Sequence, residues 1–129
     1  MNTLLKQNRI RPAIIIGSNN TEQRTTEYTP MDIKVNGRIL KSKLSEYAKF
    51  VAVNVKNLID GKYQTLPDRM HIIIAGSSFG GTASLYISYH YPELFGKSAC
   101  LSLSLMVPMP EGGIYLKESL ESGKKSVIY

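Results

Sequence analysis

The chain has 129 residues, 43% of them hydrophobic and 20% charged, with a single cysteine and a formal net charge of +6. That length suits one domain with one core and excludes most two-domain enzymes. Cys100 alone makes neither an intramolecular disulfide nor a multi-cysteine metal site, which favours a reducing compartment, and no apolar stretch approaches the ~20 residues of a membrane span.

The excess charge lies in the first half: residues 1–70 carry 12 Lys/Arg against 6 Asp/Glu, and residues 71–129 carry 4 against 4. The cations are scattered, with no basic run and no stripe interleaved with aromatics, so a solvated face is expected rather than a nucleic-acid or membrane site. The opening residues hold only Leu4-Leu5 before polar residues resume, unlike a signal peptide, so the chain as given reads as soluble and cytoplasmic.

In chain order, residues 3–8 suit a helical turn or two. Ala13-Ile14-Ile15-Ile16, between Pro12 and Gly17, has the continuous apolar character of a strand covered on both faces. A long polar segment follows from Gly17 to Gly37, where binding residues often sit. From Ser42 to Asp60, Leu44, Tyr47, Val51, Val55 and Leu58 recur at steps of three and four, predicting a helix with Ser42 as N-cap and Gly61 as its stop. A second strand is expected at 71–75 and a second helix from about Gly80 to His90, because Pro92 disfavours helix at the residue before it. A third strand at 98–103 contains Cys100, read as a small buried hydrophobe. A weaker helix at 114–121 and a last strand at 126–129 complete the pattern. Strands alternating with helices imply right-handed crossovers, hence an α/β fold: a mainly parallel sheet of about four strands with helices on both faces.

One motif carries chemistry. Gly76-Ser77-Ser78-Phe79-Gly80 is G-x-S-x-G, placed directly after a predicted strand and before a predicted helix, as a nucleophile elbow requires. The serine must sit on a sharp turn, so Gly76 and Gly80 are expected to let the strand and helix backbones approach closely. Ser78 is then the catalytic nucleophile at a helix N-terminus, and the Phe79 N–H is one oxyanion donor. Other readings of these glycines fail: a Walker A loop needs a lysine where Thr82 stands, and the spacing does not fit a dinucleotide fingerprint. No metal and no cofactor are implied.

Several further segments extend the pattern: Arg11-Pro12-Ala13-Ile14-Ile15-Ile16-Gly17, Arg24-Thr25-Thr26-Glu27-Tyr28-Thr29-Pro30, Tyr47 and Phe50 ahead of Ile59-Asp60-Gly61-Lys62-Tyr63, Pro67-Asp68-Arg69, Tyr91-Pro92-Glu93-Leu94-Phe95-Gly96 and Ser102-Leu103-Ser104. With the elbow, in this order, they resemble the putative esterase family of α/β-hydrolases, which includes enterochelin-type and feruloyl esterases. The resemblance implies a three-layer αβα sandwich, of which residues 1–129 would be a single partial domain holding the fourth to seventh strands. It also implies a small-molecule ester substrate, with the triad acid and histidine after Tyr129 and earlier strands before Met1.

The two histidines cannot replace the missing one. His71 lies seven residues before Ser78 along a strand, ~23 Å away at ~3.3 Å per residue. His90 lies twelve residues beyond it along a helix, ~18 Å away at ~1.5 Å per residue. A general base must come within about 3 Å, or act through one water. Ser77, Arg24, Glu27 and Tyr28 are the substrate-binding candidates, with bracing of the long loop as the alternative for the last three.

Two functions are thus in competition. One is a serine carboxylic-ester hydrolase completed from outside these residues. The other is a noncatalytic truncated or split-gene product that associates with itself or a partner through uncovered sheet edges.

Overall fold

The structure is a computed structural model that describes residues 2–103 and 127–128. A short helix α1 (Asn2–Lys6) opens the chain, and α2 (Arg24–Tyr28) lies within the long polar segment. Strands β1 (Ile33–Val35) and β2 (Arg38–Leu40) then form an antiparallel hairpin. Its turn is Asn36-Gly37, with φ of +50° and +77°, the two left-handed residues that a two-residue hairpin turn matching strand twist demands.

The helix predicted for residues 42–60 is present but not uniform. It runs as α3 (Leu44–Lys49), a wider π-helical stretch at Phe50–Val55, and α4 (Lys56–Lys62). The wider turns shift the phase of the apolar stripe. Leu44, Ala48 and Ala52, spaced by four, are buried, whereas Leu58 is 53% exposed despite its place on the predicted face. Ser42 does not cap by position, since Lys43 precedes the helix, but its hydroxyl still accepts the Leu44 N–H at 3.3 Å.

Strand β3 (Ile73–Ser77), helix α5 (Phe79–His90) and strand β4 (Lys97–Leu101) make one parallel crossover unit. Strand β5 (Val127–Ile128) adds to β4, also parallel, giving the order β3-β4-β5. Three of the four predicted strands are therefore found. The fourth, residues 13–16, has no regular secondary structure and pairs with no strand among the described residues, where the parallel sheet has three strands instead of the expected four. Ile14, Ile15 and Ile16 are 49%, 78% and 46% exposed. A strand is a property of pairs: an apolar run has no ladder without a neighbouring edge within about 5 Å. The predicted helix at 114–121 lies outside the described residues.

The core joins one sheet face to two helices. Ala48 and Ala52 of the long helix meet Ile87 of α5 and Phe95, with Ile72 and Ile74 packed beneath. Alanines at a four-residue spacing let the helix lie close against α5, and burying Ile87 or Leu44 contributes ~1.5–3 kcal/mol each. On β3 the odd positions Ile73, Ala75 and Ser77 point away from this core and are exposed. Among the described residues, helices cover this one face of β3, in place of the predicted cover on both.

Candidate active site

Ser78 stands between β3 and α5 with φ +55° and ψ −123°. This region is costly for any residue but glycine, ~1–3 kcal/mol, and is held only where its surroundings insist. Two hydrogen bonds do so here. The Ser78 N–H donates to the Leu101 carbonyl at the end of β4, at 3.0 Å, and the Ser78 carbonyl accepts the Thr82 N–H at 3.2 Å, the first bond of α5.

The glycines divide the steric work unequally. A Cβ on Gly76 would lie 2.2 Å from the Gly80 carbonyl oxygen and 2.9 Å from the Gly81 nitrogen, so its hydrogen is what allows the helix to start against the strand. Gly81 is tight as well, 3.1 Å from the Leu101 carbonyl oxygen, while a Cβ on Gly80 meets nothing within 4 Å. The close approach expected of Gly76 and Gly80 thus belongs to Gly76 and Gly81.

A serine before a helix ordinarily caps it, its oxygen accepting an N–H of the first turn. Ser78 makes no such bond, and its side chain is exposed. The Phe79 N–H heads α5, where no carbonyl one turn back is available to it. An exposed hydroxyl therefore stands next to the first amide of α5, at the positive end of the helix dipole.

The long loop reaches this end of the sheet. The Arg24 guanidinium lies 5.4 Å from the centre of the Phe79 ring and 6.0 Å from that of Tyr28, placing a cation one residue from Ser78. Glu27 turns back into its own loop, where its carboxylate accepts the Thr21 hydroxyl at 2.7 Å and the Thr21 N–H at 3.3 Å. Tyr28 is buried and tilts against the ring of Tyr47, with the two hydroxyls 3.4 Å apart. Burial, then the bond to Tyr47, pushes the Tyr28 phenol well above its usual range, so it stays neutral. Tyr47 in turn donates to Ser18 at 3.2 Å. Glu27 and Tyr28 brace the loop, and Arg24 and Ser77 are the candidates that lie by Ser78. Tyr47 was legible only as a helix-face aromatic; its role as the loop's anchor comes from the fold.

A family model described as Putative esterase matches residues 1–122. The chain belongs to the Putative esterase family. A solved structure, the enterobactin esterase FES from Shigella flexneri in the presence of 2,3-dihydroxy-N-benzoyl-glycine, superposes with a TM-score of 0.65 at 23% identity. The match covers 98% of this chain and 32% of that one, so this chain spans about a third of that esterase's length. No curated protein matches it.

Neither histidine of this esterase-family chain approaches Ser78. His71 precedes β3, its Nδ1 2.6 Å from Asp68, and that bond holds the Asp68 carboxyl below its usual range. His90 ends α5, stacked on Tyr86 with ring centres 4.1 Å apart, and burial lowers its pKa. Among the described residues no group of three His, Cys, Asp or Glu side chains could hold a metal ion.

Proposed function

We propose that this chain carries the nucleophile of a serine carboxylic-ester hydrolase. The observation that carries the reading is the strained backbone of Ser78, which presents an exposed hydroxyl that does not cap α5 next to the first N–H of that helix. Ser78 Oγ attacks the ester carbonyl carbon, the carbonyl oxygen takes the negative charge, and the Phe79 N–H donates to it. Collapse expels the alcohol and leaves an acyl-serine, which water cleaves to the carboxylic acid. The substrate is a small-molecule ester.

A general base must take the serine proton and return it to the alcohol. Both histidines of the sequence are at the wrong places, so the base and its orienting acid come from outside these 129 residues. Removing the histidine of a serine triad lowers turnover by about 10⁶ in the worked protease case, so the chain alone should be nearly inert.

Fluorophosphonate labelling tests this. In a longer protein that carries the flanking segments of the esterase domain, Ser78 should label and Ser78→Ala should not. A folded longer protein whose Ser78 stays unlabelled would remove the reading.

A further inference from the structure

Among the described residues, positive φ outside glycine occurs at Asn8, Asn36, Ser78 and Ser102. Asparagine tolerates that region, and Asn36 lies in the hairpin turn, but serine enters it only at a cost. The two serines are neighbours across the sheet. Ser77 is the register partner of Leu101, so Ser102, with φ +44°, stands one step further on, beside Ser78, and neighbouring strands lie ~4.8 Å apart. Strain of this kind gathers where the backbone of a site is being held.

The turn at Ser102 breaks the alternation of β4. Ser98, the partner of Ile74, is buried on the α5 side, while Leu101 is 60% exposed, so even positions of this strand face α5 and odd positions face away. An unbroken strand would carry Leu103 to the side of Leu101. Instead, a Cβ added at Gly81 would lie 3.4 Å from Leu103 Cδ2, which puts that side chain over the first turn of α5. On the other side of Ser102, the Leu101 carbonyl accepts the Ser78 N–H at 3.0 Å. The end of β4 therefore grips the elbow at two points, the backbone of Ser78 and the first turn of α5, and the positive φ of Ser102 is the joint between them.

We propose that Ser102 is a positioning residue for Ser78. Its part in the reaction rests on the reading of Ser78 as nucleophile; the grip itself does not. Ser102 acts through its backbone. With negative φ, β4 would run on, Leu103 would leave Gly81, and the strained turn at Ser78 would lose a contact that holds the start of α5 against β4. The grip does not use the hydroxyl, so any residue that takes φ +44° should serve, and a β-branched one should not.

Two measurements test this. In the 129-residue chain, hydrogen exchange at the Ser78 amide reads the grip without reference to catalysis. Ser102→Val and Leu103→Ala should each speed that exchange about tenfold, the scale of such backbone strain, while Ser102→Gly and Ser102→Ala leave it as slow or slower. In the longer protein that carries the flanking segments of the esterase domain, Ser102→Val should lower kcat on p-nitrophenyl acetate about tenfold with KM nearly unchanged, and glycine at the same position should rescue it. Unaltered exchange in both Ser102→Val and Leu103→Ala overturns the proposal. So does an equal fall in kcat for the glycine, alanine and valine variants, since the hydroxyl would then be what counts. A Ser78→Ala enzyme with full turnover would remove the nucleophile reading, and with it the part of Ser102 in the reaction, while the exchange rates still decide the grip.

Discussion

Adding one methyl at Gly76 or at Gly80 should have opposite effects. At Gly76 the new Cβ would stand 2.2 and 2.3 Å from the Gly80 carbonyl oxygen and carbon, where ordinary contact needs ~3.5 Å or more. Both obstacles are backbone, so relief requires α5 to move off β3, breaking the register that Ser78 depends on. Overpacking of this kind costs ~1–3 kcal/mol and more where backbone must shift. At Gly80 the Cβ enters open space in the first turn of α5, and replacing glycine there gains up to ~1 kcal/mol of helix propensity. The pair should differ by ~2–4 kcal/mol, or roughly 10 °C in melting temperature for a chain of this length. Circular dichroism melts of the two variants measure it. Equal midpoints, or a Gly80→Ala variant as damaged as Gly76→Ala, would refute the view that, of these two glycines, Gly76 carries the contact and Gly80 does not.

Ser78→Gly should raise stability by about 1 kcal/mol, because glycine occupies φ +55° without the strain that serine carries, while removing the proposed nucleophile. Denaturant midpoints read the first effect and fluorophosphonate labelling of the longer protein the second; a loss of stability would mean that the turn is not strained. His90 sets an acid sensitivity. Burial lowers its pKa from the ordinary 6.5, so the unfolded chain takes up the proton first as pH falls, and stability declines from about pH 7 through the lowered folded value. His90→Gln should flatten that part of the stability curve, measured by melts at successive pH values; an unchanged slope would place the titration elsewhere. Asp60, whose pKa is lowered chiefly by its bond to Lys56, acts in a separate window below its ordinary 3.8.

Much of the sheet and the elbow was legible because their signals are local. The apolar runs at 71–75 and 98–103 became β3 and β4 within two residues at each end, and the helix between them ends ahead of Pro92 as its ring requires. The hairpin was missed: Asn36-Gly37 carries a turn signal, but the three-residue strands around it are too short for a period to show. What was not legible depends on neighbours. Ala13-Ile14-Ile15-Ile16 has the composition of a strand and no edge to pair with. Leu58 has the spacing of a core residue, but the wider turns at Phe50–Val55 rotate it toward solvent. Glu27 and Tyr28 lie in a loop whose folding onto Thr21 and Tyr47 no local pattern encodes.

The sequence by itself determined the nucleophile candidate, the strand–turn–helix order that presents it, and the lack of a histidine within reach, because spacing along a strand or helix sets distance. Only the tertiary structure decided which glycines the elbow needs and which loop residue stands beside Ser78. Those depend on how segments far apart in the chain meet, and no local period records that.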